Sequence, residues 1–170
     1  IAGTVVARGS RVKAFNIGDA VFAMTTIQAG GGYASYARVP WMAVAHMPRN
    51  LSFTQAAAVP LAGLTAMQAL THEVSISHGQ RVLIYGASGG VGTFAVQIAK
   101  THGAHVTGVC STRNLAFVRS LGADQVLDYT REDFTQRGEQ YDLILAVNGY
   151  QPIAAYRKGL RPGGAYVAAG

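Results

Sequence analysis

Short apolar runs alternate with stretches of helical periodicity through residues 79–170. The run 81–85, Arg-Val-Leu-Ile-Tyr, is typical of a strand that is buried on both faces. Glycines follow, and apolar residues then recur at the spacing of an amphipathic helix at Val91, Phe94, Ala95, Ile98 and Ala99. Further strands are predicted at 104–109, 125–127, 141–147 and 165–168, with helices at 114–121 and 152–160. This alternation predicts an α/β fold with a doubly wound parallel sheet.

Residues 1–45 have a different pattern. Short runs that contain β-branched or aromatic residues, at 4–7, 20–23 and 33–39, are separated by the turn signals Gly9-Ser10, Gly18-Asp19 and Gly30-Gly31-Gly32. They predict antiparallel strands. Between these two regions, Ser52 is a plausible N-cap for a helix at 53–58, which Pro60 separates from a second helix at 63–72.

Composition and charge exclude several classes of protein. Apolar residues make up 49% of the 170 residues, so intrinsic disorder is not expected. The net charge of +6 is spread along the chain, with only Arg157-Lys158 adjacent, which does not favour nucleic-acid binding. The uncharged stretch 51–71 is rich in alanine and contains Pro60, so no membrane span is predicted. No secretory signal is visible in the first residues of the sequence, and a cytoplasmic location is expected.

The glycine-rich segment Gly86–Gly92 carries the clearest chemistry. It follows a predicted strand and opens a predicted helix, which is the context that a dinucleotide-binding loop requires. Glycine lets the backbone approach a pyrophosphate, and the free N–H groups of the helix start receive the anion. The spacing, G-x-x-G-x-x-G, is a variant of the usual fingerprint, and a bare structural turn is the alternative.

The end of the second predicted strand indicates which nucleotide is bound. Enzymes that prefer NAD place an acid about 20 residues after the loop to hold the ribose 2′-hydroxyl. Here the segment 109–114 contains Ser111 and Arg113 and no acid. Hydroxyls and a guanidinium favour a 2′-phosphate, which predicts NADP(H). The alternative, that Arg113 is only a solvated residue, stays open.

Several motifs occur in an order that resembles the medium-chain dehydrogenase/reductase superfamily, in its zinc-independent quinone oxidoreductase (ζ-crystallin-like) branch. The resemblance covers essentially the whole chain. Members of this superfamily continue on both sides of the matched region, so the chain is expected to be a fragment. It is carried by residues 18–21, 57–66, 86–92, 121–124 and 162–164.

The resemblance implies a domain organisation and a set of cofactor-binding residues. It implies part of a GroES-like catalytic domain at 1–50, a helical connection at 51–78, and a Rossmann NADP-binding domain at 79–170, incomplete at its C-terminal end. The residues implied at the pyrophosphate are Ser88, Gly89, Gly90, Val91 and Gly92. Ser111, Arg113 and Tyr129 are implied near the adenosine phosphate, and Thr65 and Asn148 near the nicotinamide. Leu115 stands where some members have a lysine near the 2′-phosphate, so that contact is missing and Arg113 is its candidate substitute.

The implied function is NADPH-dependent hydride transfer to a quinone, an enone or a similar small molecule, with homodimerisation of the full-length protein left open. Cys110 is the only cysteine, and the histidines lack a useful ligand spacing, so no zinc is expected. Tyr33 and Tyr36 are candidate donors to an oxyanion, with stacking in a strand as the alternative; no catalytic acid is identified. A zinc-type alcohol dehydrogenase relative and a non-catalytic nucleotide-binding module are the alternative functions.

Overall fold

The computed structural model describes residues 1–25, 31–149 and 151–169. Its packing divides the chain into two units, Ile1–Leu61 and Ala62–Gly170, and the division falls inside a long helix. Gly30, part of the predicted triple-glycine turn, lies outside the described residues.

The first unit contains an antiparallel sheet of three short strands. They are β1 (Ala2–Thr4), β2 (Ala20–Ala23) and β3 (Val44–His46), in the order β1-β2-β3, and the 3-10 helix Trp41–Ala43 precedes β3. The antiparallel texture is confirmed. The predicted strand at 33–39 is wrong, because this segment pairs with no strand of the described residues and leaves Tyr33 and Tyr36 exposed. Stacking of these tyrosines in a strand is therefore excluded.

The helix α1 (Phe53–Thr71) is continuous, so the predicted break at Pro60 is also wrong. Proline removes one helical hydrogen bond, at a cost of about 3 kcal/mol or more. Pro60 is itself buried, and Ala56, Ala66 and Leu70 are also buried on either side of it, which offsets that cost. The predicted cap is confirmed: the Gln55 N–H donates to Ser52 Oγ at 3.3 Å, and the Ser52 N–H donates to Gln55 Oε1 at 2.9 Å.

The second unit is built on a five-stranded parallel sheet with the order β6-β5-β4-β7-β8. Its strands are β4 (Arg81–Tyr85), β5 (His105–Cys110), β6 (Gln125–Asp128), β7 (Tyr141–Val147) and β8 (Leu160–Ala169). Its other helices are α2 (Gly90–Thr101), α3 (Leu115–Ser120) and α4 (Ile153–Gly159), with 3-10 helices at Thr112–Asn114 and Phe134–Gln136. β4 lies at the centre, and the chain crosses from β6 on one side to β7 on the other.

Two apolar clusters cover this sheet. One joins Leu70 of α1 and Val96 of α2 to the strands. In the other, Tyr156 of α4 and Phe134 of a 3-10 helix pack against Tyr85. Helices on both faces of a parallel sheet make the unit a doubly wound α/β domain, as predicted. β8 is longer than predicted, because it begins directly where α4 ends.

Candidate functional site

The loop after β4 is held against the two neighbouring strands. The N–H groups of Gly86 and Ala87 both donate to the Val109 carbonyl of β5 at 3.0 Å. Gly86 has a φ of +84°, and a Cβ there would stand 2.3 Å from the Val147 carbonyl oxygen of β7. Both the left-handed conformation and the close approach to β7 require glycine at this position.

The other glycines of the loop serve two different purposes. A Cβ on Gly92 would lie 2.2 Å from the Gly86 carbonyl oxygen, so glycine lets α2 begin directly against the loop. Gly89 and Gly90 are instead exposed, and a Cβ on Gly90 would meet only Ala62, at 3.7 Å. Gly86 and Gly92 therefore shape the turn, whereas Gly89 and Gly90 leave its outer surface open.

This open surface lies at the beginning of α2. Gly89 occupies the N-cap position without a side chain, so no side-chain cap covers the first N–H groups of this 12-residue helix. The helix dipole adds positive potential at the same end. Backbone donors and a surface free of Cβ atoms fit a diphosphate group, with Ser88 and Val91 half-buried beside it.

Asn114 joins this loop to the end of β5. Its Nδ2 donates to Ser88 Oγ at 3.0 Å and lies 3.3 Å from Ser111 Oγ. Two of the predicted residues are thus brought together by a third that sequence reasoning missed. The signal was present, since Asn114 ends the acid-free segment after β5, but it was interpreted only as a helix start.

Arg113 lies in the 3-10 helix after β5 and is exposed. Across the described ranges it makes no ion pair, so its guanidinium is open to a ligand.

An acid does approach the end of β5, but from the neighbouring strand. Asp128 ends β6 directly opposite Cys110, and it is 4% exposed. The Thr112 hydroxyl donates to Asp128 Oδ2 at 2.5 Å. This bond, followed by those from Thr130, lowers the pKa of the Asp128 carboxyl despite its burial. The absence of an acid from the segment 109–114 therefore does not mean that the site lacks one.

The remaining predicted residues lie at three separate positions. Tyr129 follows β6, is exposed and stacks on Tyr85 with 6.4 Å between the ring centroids, beside a cavity of about 270 Å³. Asn148 follows β7 with a φ of 55°, and its N–H donates to the Ala169 carbonyl at 3.3 Å. Thr65 is half-buried in α1, one turn from Ala62, the residue that faces Gly90. Tyr129 and Asn148 share the carboxyl edge of the sheet with the glycine loop.

Zinc does not fit the donor groups of the described residues. Within residues 1–25, 31–149 and 151–169, no cluster of three or more His, Cys, Asp or Glu side chains is placed to hold a metal ion. Cys110 is buried, and its burial raises the pKa of its thiol, which opposes the thiolate form that zinc binds.

Comparison with known proteins gives the family context. Residues 90–170 match the family of zinc-binding dehydrogenases. The chain is 40% identical over 173 aligned residues to the chloroplast envelope quinone oxidoreductase homolog of Arabidopsis thaliana, covering 96% of this chain and 53% of that protein. It is 45% identical to the mitochondrial NAD(P)H oxidoreductase RTN4IP1 of Mus musculus, covering 76% of this chain and 34% of that protein.

A solved structure has the same fold as this chain. Mycobacterial Rv1454c complexed with NADPH superposes with a TM-score of 0.87 at 27% identity, covering 100% of this chain and 55% of that one. The chain thus spans about half the length of these proteins or less.

The expected cytoplasmic location is contradicted by these comparisons, because the relatives are named as chloroplast or mitochondrial proteins. The first residues of a chain that covers only part of its relatives carry no information on targeting. Among the helices of the described residues, none is both long and apolar enough to cross a bilayer.

Proposed function

Because the chain belongs to the medium-chain dehydrogenase/reductase superfamily, we propose that the protein is an NADPH-dependent oxidoreductase that transfers hydride to a quinone, an activated alkene or a carbonyl compound. The observation that carries this proposal is the glycine cradle, the surface that Gly89 and Gly90 leave open at the start of α2. Asn114 links Ser111 to this loop, and Arg113 is exposed in the same segment. The names of the relatives support the quinone and the nicotinamide nucleotide.

In this proposal the uncapped N–H groups at the start of α2, from Gly90 and Val91, bind the diphosphate, with Ser88 and Gly89 beside them and Gly92 holding α2 close. The Arg113 guanidinium makes no ion pair within the described residues, and it supplies charge for the 2′-phosphate. Bound nicotinamide would supply the hydride. Thr65 and Asn148 are assigned to the nicotinamide end and Tyr129 to the adenosine end.

The domain assignment belongs to the same proposal. Residues 1–50 are assigned to a GroES-like catalytic domain, 51–78 to a helical connection, and 79–170 to the NADP-binding domain. The small antiparallel sheet supports the first assignment and the five-stranded parallel sheet supports the last. Expectations of a small-molecule substrate and of zinc-independent chemistry follow from this proposal and stay predictions.

Nucleotide titration tests the cofactor. The chain is expected to bind NADPH more tightly than NADH, and Arg113→Ala should remove most of that difference, about tenfold for one charge-assisted contact. Arg157→Ala is the matched control, since it deletes another exposed arginine, in α4. Equal affinities of the unmodified chain for the two nucleotides would contradict the assignment of NADP(H).

Turnover tests the reaction. NADPH and a quinone are mixed with the protein, and the loss of nicotinamide absorbance is followed, with the Gly90→Ala variant as a control that blocks the cradle. Oxidation of NADPH that depends on the quinone supports the proposal. Binding without any turnover would instead favour the alternative, a non-catalytic nucleotide-binding module.

A further inference from the structure

Asp128 is a buried carboxylate that the proposed reaction does not use. Its Oδ2 accepts the Thr112 hydroxyl at 2.5 Å, and its Oδ1 accepts the Thr130 hydroxyl at 2.7 Å and the Thr130 N–H at 3.0 Å. Arg131 Nε lies 3.6 Å from Oδ2. One carboxylate therefore ties the segment after β5 to the segment after β6.

These bonds divide the hydroxyls after β5 into two kinds. The hydroxyl proton of Thr112 is used on Asp128, so that hydroxyl has no proton left for a phosphate oxygen. Ser111 Oγ accepts from Asn114, and its own proton remains for a ligand. Thr112 thus acts as an anchor, and its two neighbours, Ser111 and Arg113, are the residues that it presents.

We propose that Asp128 is a positioning residue that favours nucleotides carrying a 2′-phosphate, by holding Thr112 and hence the flanking Ser111 and Arg113. This inference rests on the proposed NADPH binding and names a determinant of it. Asp128 touches neither the proposed cofactor nor a reacting atom; it acts through Thr112.

A carboxylate near a phosphate raises the question of repulsion. The Asp128 side chain is 5% exposed, and its oxygens receive two hydroxyls and one N–H, with the Arg131 guanidinium beside them. These groups offset most of its charge towards a ligand at Ser111 and Arg113. The loss of the anchor therefore outweighs the removal of a repelling charge.

The test uses 2′,5′-ADP and 5′-AMP, two probes that differ only in the 2′-phosphate and need only the nucleotide-binding unit. Calorimetric titration of the unmodified chain comes first, and 2′,5′-ADP should bind more tightly. Equal binding of the two probes would contradict the proposed NADPH preference and the inference with it.

Given that preference, Asp128→Asn and Thr112→Val are compared. Each should weaken 2′,5′-ADP about fivefold while 5′-AMP changes by less than about twofold, as expected for one hydrogen bond that orders a segment. Thr112 is exposed, so its variant removes the same contact without replacing the buried Asp128 side chain itself. The double variant should lose no more than either single one, because both act through one bond.

Glu73→Gln is the control for charge, since it neutralises an exposed carboxylate that follows α1. It should leave both affinities unchanged. Equal weakening of the two probes by Asp128→Asn would show that Asp128 supports only the fold. Tighter 2′,5′-ADP binding by that variant would show that the carboxylate repels the phosphate. Either result would overturn the inference.

Discussion

Replacement of Gly92 by alanine separates the structural glycines of the loop from the ligand-facing ones. The added Cβ would stand 2.2 Å from the Gly86 carbonyl oxygen, 2.8 Å from Ala87 Cα and 2.9 Å from its carbonyl carbon. All three neighbours are backbone atoms, so no side-chain rotation relieves the overlap. Either α2 or the loop has to move by about 1 Å, in an interior that is packed as densely as a crystal.

The cost follows from this geometry. Overpacking in a core costs about 1–3 kcal/mol, and displaced backbone belongs at the upper end of that range. The better helix propensity of alanine recovers less than about 1 kcal/mol. We therefore expect Gly92→Ala to destabilise the second unit by about 2–3 kcal/mol, or to lower its Tm by about 10 °C.

Gly90→Ala is the matched substitution. Its Cβ would meet only Ala62, at an ordinary 3.7 Å. The free energy of unfolding should therefore stay within about 0.5 kcal/mol of that of the unmodified chain. That Cβ nevertheless occupies the open surface over the cradle, and NADPH affinity should fall at least about tenfold. Thermal unfolding by circular dichroism and NADPH titration are measured on both variants. A Gly92→Ala protein as stable as Gly90→Ala would refute the packing argument, and a Gly90→Ala protein with full NADPH affinity would refute the cradle.

Three further predictions concern polar groups of the same unit. Asn114→Ala, which removes the bridge to Ser88, should weaken NADPH binding about tenfold in titration with little change in Tm. Burial alone would raise the pKa of the Asp124 carboxyl, but hydrogen bonds from Lys100 and from the Val106 N–H lower it below its ordinary value. Asp124→Asn should therefore cost about 1 kcal/mol in denaturant unfolding at pH 7, a difference that disappears as the pH falls below the ordinary Asp range towards the lowered native pKa. Burial raises the pKa of Tyr156 to about 12 from 10.0, so its contribution is complete below pH 10 and is lost as the pH rises towards 12. In denaturant unfolding between pH 10 and 12, the Tyr156→Phe variant should therefore lose less stability than the unmodified chain. Equal losses would contradict the raised pKa of Tyr156.

The parallel sheet could be predicted from the sequence because its signals are local. Buried parallel strands appear as continuous apolar runs, and β4 and β7 have the predicted bounds. The loop after β4 was equally predictable, since glycines between a strand and an amphipathic helix have one main use. Composition and spacing were enough to predict an element wherever the interactions that form it lie within a few residues along the chain.

The errors occur where partners are distant in sequence. Residues 33–39 have the composition of a strand but pair with no strand of the described chain, and composition does not reveal a missing partner. Pro60 is a helix breaker by local rules, yet it is buried, as are Ala56 and Ala66 of the same helix, and α1 is continuous. At Pro60 burial outweighs local propensity, whereas at 33–39 the lack of a partner strand among the described residues leaves the strand propensity without effect.

The search for an acid at the end of β5 shows the same limit within the site. Counting about 20 residues from Gly92 tests only the strand that carries Ser111, because a count along the chain follows a single strand. Parallel pairing sets Asp128 opposite Cys110, so a carboxylate reaches the segment after β5 from the next strand. Its oxygens are engaged by hydroxyls that the same segments supply, which leaves Arg113 as the exposed charge after β5. The proposed preference for a 2′-phosphate would therefore depend on how this acid is held as well as on its absence from β5, and the comparison of Asp128→Asn with Thr112→Val measures that dependence.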